Sequence, residues 1–423
     1  MNPAIITLLF LLFAIAMFVW EKIPLALTSM IVCVGLIVTG VLEPKTAFAG
    51  FVNTNVILFV GMFVVGGALF ETGMANRVGG LVTKFAKTER QLIVAIMIIT
   101  GVMSGFLSNT GTAAVLIPVI VGIAAKSGFA RSRLLMPLVF AAAMGGNLSL
   151  VGAPGNMIAQ SGLQEIGLKF GFFEYALVGL PILIIGIIYF ALFGYKLLPA
   201  AKPVTDSDSA FDEAKDYSKV PQWKQVLSLV ILIATILAMI LEDFIGIPLY
   251  VSSSIGAILL VLTGVMTEKQ AYKSIDMQTI FLFGGTLALA SALEGSGAGA
   301  MIADSVIDLL GQNASPFVLL FAILILSAVM TNFMSNTATT ALLVPISLSI
   351  ATGMGADPRA VLMATVIGGS MAYITPIGMP ANTMVLSIGG YKFRDYTKAG
   401  LPLMVLALAV SMILLPIFFP FFP

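Results

Sequence analysis

The chain has 423 residues, 59% of them hydrophobic and only 10% charged, with a net charge of +1. A mean hydropathy of +1.08 excludes a soluble globular domain, whose surface needs far more charge. Basic residues confined to short loops give no support for nucleic acid binding, and a chain without histidine has no histidine metal site, general base or proton relay.

The first apolar run, 3–20, lacks a basic leader and a small-residue cleavage site, so it reads as a span and not a removable signal. Further spans are expected near 24–42, 54–71, 134–160 and 173–195, each close to the length that crosses a bilayer core. Cys33, in the second of them, is the only cysteine; it makes no intrachain disulfide and reads as a small packing residue. The segment 201–222 mixes charge with Pro and Ser and is expected to be a solvated linker. After it come spans near 225–241, 248–266, 277–294, 358–386 and 400–420. Two longer apolar stretches, 91–125 and 316–352, each hold a polar knot, Ser108-Asn109-Thr110 and Ser335-Asn336-Thr337.

The two knots belong to a repeat. Ile23-Pro24-Leu25 returns as Ile247-Pro248-Leu249 and Thr39-Gly40-Val41 as Thr263-Gly264-Val265, both 224 residues later. The knots, and Pro118 with Pro345, are offset by 227. A near-constant shift over the whole chain indicates a duplicated unit. Each unit has five spans plus the knotted stretch. If that stretch enters and leaves on one side, the unit is odd and its copy is upside down. The charges agree. Loops around the first stretch hold Arg77, Lys84, Lys87, Arg90, Lys126, Arg131 and Arg133 against Glu89, whereas those around the second hold Glu294, Asp304, Asp308 and Asp357 against Arg359. The positive-inside rule makes the first set cytoplasmic and the second external, with both termini outside and the linker inside. Inverted repeats with interrupted helices at matching places point to a secondary transporter with its site near the midplane.

As one helix, Gln91 to Ala125 would be about 53 Å long, too long for a core of about 30 Å. Its flanks, Arg90 and Lys126, are both basic. Two readings stand: a full hairpin whose turn reaches the far surface, or a re-entrant hairpin whose tip stops midway. Non-helical backbone at membrane depth needs protein or a wet cavity around it. The duplicated knot in oppositely oriented units favours the re-entrant reading, because two tips from opposite sides can then meet. Thr88-Glu89-Arg90-Gln91 fits a capping box and Ser315-Pro316 a capped, proline-started helix. A Gly/Pro-rich break follows each knot: Gly145-Gly146-Asn147 through Pro154-Gly155-Asn156, and Gly368-Gly369-Ser370 through Pro380-Ala381-Asn382. Such density interrupts a helix. The interruption is read either as a kink eased by neighbours or, favoured by its pairing, as an unwound segment whose carbonyls hold a cation while a half-helix N-terminus faces an anion.

Neither knot nor break contains an ionisable residue. Carbonyls suit a hard cation such as sodium, and amides, hydroxyls and helix N-termini suit oxyanions. A dianion buried without a positive partner is costly, and bound sodium ions would supply one. Glu71 and Glu294 match across the repeat but fall near span ends, so a proton-coupled or metalloid-anion antiporter lacks the mid-span acid it needs. No G-x-S-x-G or H-E-x-x-H is present, and an enzyme is not expected.

Paired SNT motifs, each followed by a Gly/Pro break ending in Asn, resemble the divalent anion–sodium symporter family over nearly the whole chain. The resemblance implies an all-α polytopic membrane protein of two inverted repeats, each with five transmembrane spans plus one re-entrant helical hairpin, and broken helices at the midplane. Repeat one would be 1–200, with a scaffold part of about 1–87 and a mobile, elevator-like transport part of about 88–200. Repeat two would be 223–423, divided into about 223–308 and 309–423. It implies a homodimer in the plasma (inner) membrane and no cofactor beyond sodium as coupling ion. One sodium site would use Ser104, Ser108, Asn109, Gly152 and Asn156, and its mirror Thr331, Ser335, Asn336, Gly378 and Asn382. The anion would meet Asn109, Thr110, Asn336, Thr337, Pro154 and Pro380.

The expected function is sodium-coupled symport of a small divalent anion, with the Thr that ends each knot favouring a C4-dicarboxylate such as succinate. The alternatives are symport of sulfate or another inorganic oxyanion, and sodium-independent dicarboxylate exchange. Where the family's dicarboxylate members have a plain Pro-Pro-Asn ending, this chain reads TPIGMPAN, and their extra N-terminal span is not expected here. SRLLMPLVFAAAMGGNLSLVGAPGN and GFFEYALVGLP resemble a subgroup linked with sulfate and often fused to cytoplasmic regulatory domains; no such domain is expected here.

Overall fold

The structure, a computed structural model, describes residues 2–20, 22–80, 88–199, 217, 220–310 and 315–422. The expected linker lies almost wholly outside these residues, as do Lys84 and Lys87. Among the described residues all regular structure is helical. Unit one contains α1 (Pro3–Trp20), α2 (Leu25–Val38), α3 (Thr54–Thr72), α4 (Met74–Gly80), α5 (Glu89–Ser104), α6 (Asn109–Ser127), α7 (Arg131–Gly145), α8 (Pro154–Glu165) and α9 (Ala176–Leu192). Unit two repeats them as α10 (Gln222–Ile240), α11 (Leu249–Leu262), α12 (Met277–Ser296), α13 (Ala298–Leu310), α14 (Pro316–Met330), α15 (Asn336–Met354), α16 (Pro358–Gly369), α17 (Pro380–Ile388) and α18 (Phe393–Phe418). Each helix of unit one has its counterpart nine places later.

The punctuation expected from the sequence sets these ends. Thr88 Oγ1 accepts from Gln91 N (3.3 Å) and Gln91 Oε1 from Thr88 N (3.2 Å), which closes the capping box of α5. Ser315 Oγ accepts from Phe317 N, with Pro316 in the first turn of α14. The 16 residues of α5 and 15 of α14 give helices about 24 and 22 Å long, shorter than a bilayer core. Each broken helix restarts on a proline, Pro154 or Pro380, whose missing N–H costs nothing in a first turn.

Helices α4 and α13 occupy stretches expected to be loops. Gly73 and Gly297, at φ of 75° and 79°, end α3 and α12 in the left-handed conformation and turn the chain into these short elements. On α13, Asp304 and Asp308 are exposed while Ala303 is buried, an amphipathic pattern hidden in the sequence by its acidic residues.

Packing follows the repeat. Helix α2 lies on α12 as α11 lies on α3, and α1 on α2 as α10 on α11. In the other group α5 packs on α7 as α14 on α16, α8 crosses to α15 as α17 crosses to α6, and α9 meets α18. Neither unit completes its own core. Close approach in the first group depends on small residues: a Cβ on Gly61 would lie 2.5 Å from Ser253 Oγ, and one on Gly285 2.5 Å from Ser29 Cβ. These two contacts are the same contact in the two units.

Among the described residues six helices are long and apolar enough to cross a membrane alone, and shorter apolar helices lie among them. Outward rows such as Leu177, Leu180, Ile184 and Ile188 on α9, and Val226, Val230, Ile233 and Leu237 on α10, are exposed. Apolar surface on this scale faces lipid. The chain is a multi-pass membrane protein.

Candidate transport site

Each knot is the start of a helix. Ser108 Oγ accepts from Gly111 N (3.1 Å) and Ser335 Oγ from Ala338 N (3.2 Å), so the serines cap α6 and α15. The residue after each serine turns inward. Ser104 Oγ donates to Asn109 Oδ1 or Ala142 O, at 2.7 and 2.6 Å, and Thr331 Oγ1 to Asn336 Oδ1 or Gly369 O at the same two distances. A serine–asparagine pair and a threonine–asparagine pair thus tie each tip to the end of the first half of a broken helix.

The breaks are wired alike. Asn156 Nδ2 donates to Gly146 O (2.9 Å) and Ser149 O (2.8 Å), and Asn382 Nδ2 to Ala372 O (2.8 Å) and Thr375 O (3.2 Å). Ser149 Oγ donates to Gly105 O and Thr375 Oγ1 to Asn332 O, both at 2.5 Å. Tyr175 and Tyr396 donate to the carbonyls of Asn156 and Asn382 at 2.9 and 2.7 Å. Gly152 and Gly378 are obligatory here: a Cβ would lie 2.5 Å from Gly146 O in the first and 2.6 Å from Thr331 O in the second.

Two features of this wiring suit a cation. Asn109 Oδ1 sits 2.7 Å from Ser104 Oγ and 3.2 Å from both Gly152 O and Ala142 O. One hydroxyl proton cannot serve four converging oxygens. Either the amide turns its nitrogen toward them, or a cation lies among them, and neutral hard oxygens match sodium. Asn156 Oδ1 and Asn382 Oδ1 are also fully buried with no donor among the described residues. A buried acceptor left unpaired costs about 1–3 kcal/mol, and here both units carry that cost at the same position.

The two tips and two breaks meet at one cavity of about 770 Å³. Of the residues expected to bind, Ser108, Asn109, Thr110, Pro154, Ser335, Asn336, Thr337 and Pro380 line it. Ser104, Gly152, Asn156, Thr331, Gly378 and Asn382 lie behind that surface, within the hydrogen-bonded tips and breaks. Sequence reasoning missed Thr340, Ser370 and Thr383 on the lining, and Asp276, Gln278 and Thr279 at the start of α12. Among the described residues Asp276 is the one ionisable side chain on the lining. It caps α12, accepting from Thr279 N (3.3 Å) and Thr279 Oγ1 (2.6 Å). The tyrosines were also missed, although a signal existed: Glu174-Tyr175 and Asp395-Tyr396 each precede Gly-Leu-Pro by the same spacing.

The cavity is one-sided. Its mouth lies at the starts of α2 and α12, where Pro24 and Gln278 line it. On that side Pro380 is exposed and Ile377 is 54% exposed, whereas its counterpart Val151 is 6% exposed. Asn336 is half-buried where Asn109 is buried.

Comparison with known proteins shows the family and the fold. A family model described as citrate transporter matches residues 15–368. An uncharacterized transporter of Methanocaldococcus jannaschii is 28% identical over 92% of this chain and 88% of its own. The sodium-dependent dicarboxylate transporter of Staphylococcus saprophyticus is 24% identical over 94% of this chain and 83% of its own. Among solved structures, the YdaH transporter of Alcanivorax borkumensis has a TM-score of 0.68 at 15% identity, covering 99% of this chain and 98% of its own. MtrF of Neisseria gonorrhoeae has a TM-score of 0.65 at 16% identity, covering 90% and 83%; both show shared fold. The chain belongs to the citrate transporter family, within the ion transporter superfamily to which its paired SNT motifs point. It is a membrane transporter and not an enzyme.

Proposed function

We propose that this transporter carries a small divalent anion together with sodium, most favourably a C4-dicarboxylate such as succinate. The observation that carries the reading is the cavity itself. Two SNT tips and two breaks present amides, hydroxyls and helix starts to one space, with no basic side chain and one acidic one among the described residues of its lining. A dianion held there needs cations from solution, and the oxygen clusters behind the tips are where sodium would supply them. Ser104, Ser108, Asn109, Gly152 and Asn156 would serve one sodium ion and Thr331, Ser335, Asn336, Gly378 and Asn382 the other. Ser108 and Ser335 spend their side-chain oxygens as caps, so they would act mainly by fixing the tips. The names of the staphylococcal relatives support sodium and dicarboxylate, and the family description makes citrate the first competitor to test.

In this reading α1–α3 and α10–α12 form a scaffold, the seat of a homodimer, and α5–α9 with α14–α18 form the moving part. Cross-repeat bonds support a moving part that stays whole: Ser370 Oγ to Asn147 Oδ1 (3.0 Å), Met136 N to Tyr391 OH (2.9 Å) and Tyr189 OH to Ala399 O (2.9 Å). With both termini outside, the starts of α2 and α12 are cytoplasmic, and the cavity opens inward.

The test is a grid of melting curves of purified protein with succinate, fumarate, citrate or sulfate, each in sodium or potassium, followed by uptake into proteoliposomes. Binding to the folded state raises the melting temperature. A shift by a dicarboxylate only in sodium, with sodium-driven uptake, is the expected result. A sodium-dependent shift by sulfate alone moves the substrate to inorganic oxyanions. A shift and counterflow indifferent to sodium overturn symport in favour of exchange.

A further inference from the structure

We propose that Asn332 is a positioning residue for the second sodium site. Its buried amide braces break two against tip two, so this site stands formed before its ion arrives, whereas the first is drawn together by its ion. The inference rests on the reading that sodium binds where each tip meets its break.

The tips match residue for residue, Ser104 with Thr331 and Asn109 with Asn336, which puts Asn332 where unit one has Gly105. The backbone role of the position is shared: Gly105 O accepts from Ser149 Oγ and Asn332 O from Thr375 Oγ1. The side chain is extra. Asn332 Nδ2 donates to Ala328 O (2.6 Å) and Met371 O (3.0 Å), and Asn332 Oδ1 accepts from Ile374 N (2.8 Å). Both amide protons are used, and the residue is 2% exposed. At this position tip two holds its break through Met371, Ile374 and Thr375, where tip one holds its own through Ser149 alone.

The breaks explain the need for an amide. In unit one the first half of the broken helix runs on through a 3-10 turn, Gly146–Leu148, which pairs backbone with backbone. In unit two α16 stops at Gly369 and the chain from Met371 to Met379 is irregular. The stretch from the carbonyl that takes the tip hydroxyl to the one that takes the break asparagine is also one residue shorter, Gly369 to Ala372 against Ala142 to Gly146. Without the turn Ile374 N has no helical acceptor, and Asn332 Oδ1 supplies one. Unit one has no room for the same device: a Cβ on Gly105 would lie 3.0 Å from Leu148 Cβ.

The brace reaches the site from both sides. Asn332 follows Thr331, whose hydroxyl meets Asn336 Oδ1. Gly378 N donates to Thr375 Oγ1 (3.1 Å), whose hydroxyl donates to Asn332 O. Thr331 and Gly378 are thus tied through one residue. Break two borders the open mouth, where Ile377 is 54% exposed, so it has less support from neighbours than break one. A site already in shape loses less freedom when its ion binds, which makes the second site the tighter of the two.

The experiment is hydrogen exchange, read by mass spectrometry, on full-length protein in sodium or in potassium with no anion added. Sodium is expected to slow exchange about 10-fold in the peptide over 146–152 and no more than about 2-fold in that over 372–378. Asn332→Gly gives tip two the residue of tip one. In that variant the second peptide is expected to respond to sodium as strongly as the first. The sodium concentration for half-maximal succinate uptake should rise about 10-fold, with the succinate KM at saturating sodium unchanged. Gln160→Ala is the control. It removes an equally buried amide that pairs with Phe170 N and Phe170 O, away from both tips. It should lower the melting temperature in both salts and leave both sodium responses as they were. Equal sodium responses in the two breaks of the native protein overturn the inference and leave the sodium sites standing. So does an Asn332→Gly protein that keeps the native sodium dependence. If that variant does not fold, the native comparison decides. Sodium that alters neither break defeats the sodium reading and this inference with it, whereas absence of succinate uptake alone defeats only the choice of anion.

Discussion

The tip and break of unit one and those of unit two share one wiring diagram and differ in how far solvent reaches them. Hydroxyl to asparagine, asparagine to two break carbonyls and tyrosine to asparagine carbonyl all recur, with lengths that agree to within 0.4 Å. Yet Val151 is 6% exposed and Ile377 is 54% exposed, and Ser161 is buried where Ser387 is open. Local hydrogen bonding is thus set by the repeated residues, while exposure is set by where the repeat sits against the helices around it. Changes within the wiring should therefore act alike in both units, and changes at the mouth should not.

The largest effect is expected from the break glycines. Gly152→Ala and Gly378→Ala each drive a methyl group to about 2.5 Å from a backbone carbonyl that has little room to move. Misplacing a site by a fraction of an ångström costs on the order of 100-fold, so sodium-driven uptake should fall by about that factor in both, with folding checked by gel filtration. Loss from one alone would mean that only one break is part of a site. Asn109→Ala and Asn336→Ala come next. Each is expected to abolish the sodium-dependent part of the melting shift, since each removes the amide that pairs with the Ser104 or Thr331 hydroxyl at its tip. A variant that keeps sodium dependence and loses only anion affinity would separate the roles of the two tips.

Tyr175→Phe and Tyr396→Phe isolate one hydrogen bond from the rest. Each removes a buried hydroxyl that donates to an asparagine carbonyl. The expected cost is about 1 kcal/mol of stability in either unit, read as nearly equal falls in melting temperature. A large difference between the two would show that the matched geometry hides unequal strain.

How much of this was legible beforehand depended on what each residue does locally. The knots were readable because Ser-Asn-Thr is a helix start as well as a ligand set, and because it occurs twice. The breaks were readable because Gly and Pro interrupt a helix wherever they fall. Helices α4 and α13 were not, because their charged faces look like loops until Gly73 and Gly297 are seen to turn the chain. Asp276 and Gln278 were invisible for a different reason. They lie in the scaffold, 59 and 57 residues before Ser335, and only packing brings them to the cavity.

Asp276 offers the smallest and most selective test. It caps α12 with a carboxylate, whereas Asn53 caps α3 with an amide and does so at a shorter distance, 2.8 against 3.3 Å. The cap does not require the charge. A negative side chain on the lining opposes an anion: a single charge facing a dianion across about 8 Å costs about 1 kcal/mol at the dielectric of water and more where water is excluded. Because Asp276 is exposed, the lower figure applies. Asp276→Asn should therefore leave the melting temperature unchanged without ligand, tighten succinate binding roughly 5-fold, and tighten a trianion such as citrate more. Added inert salt should shrink the gain, since screening weakens exposed charges. Unchanged affinity at low salt would place the carboxylate's charge entirely on its own helix and leave the mouth of unit two electrostatically equivalent to its closed counterpart.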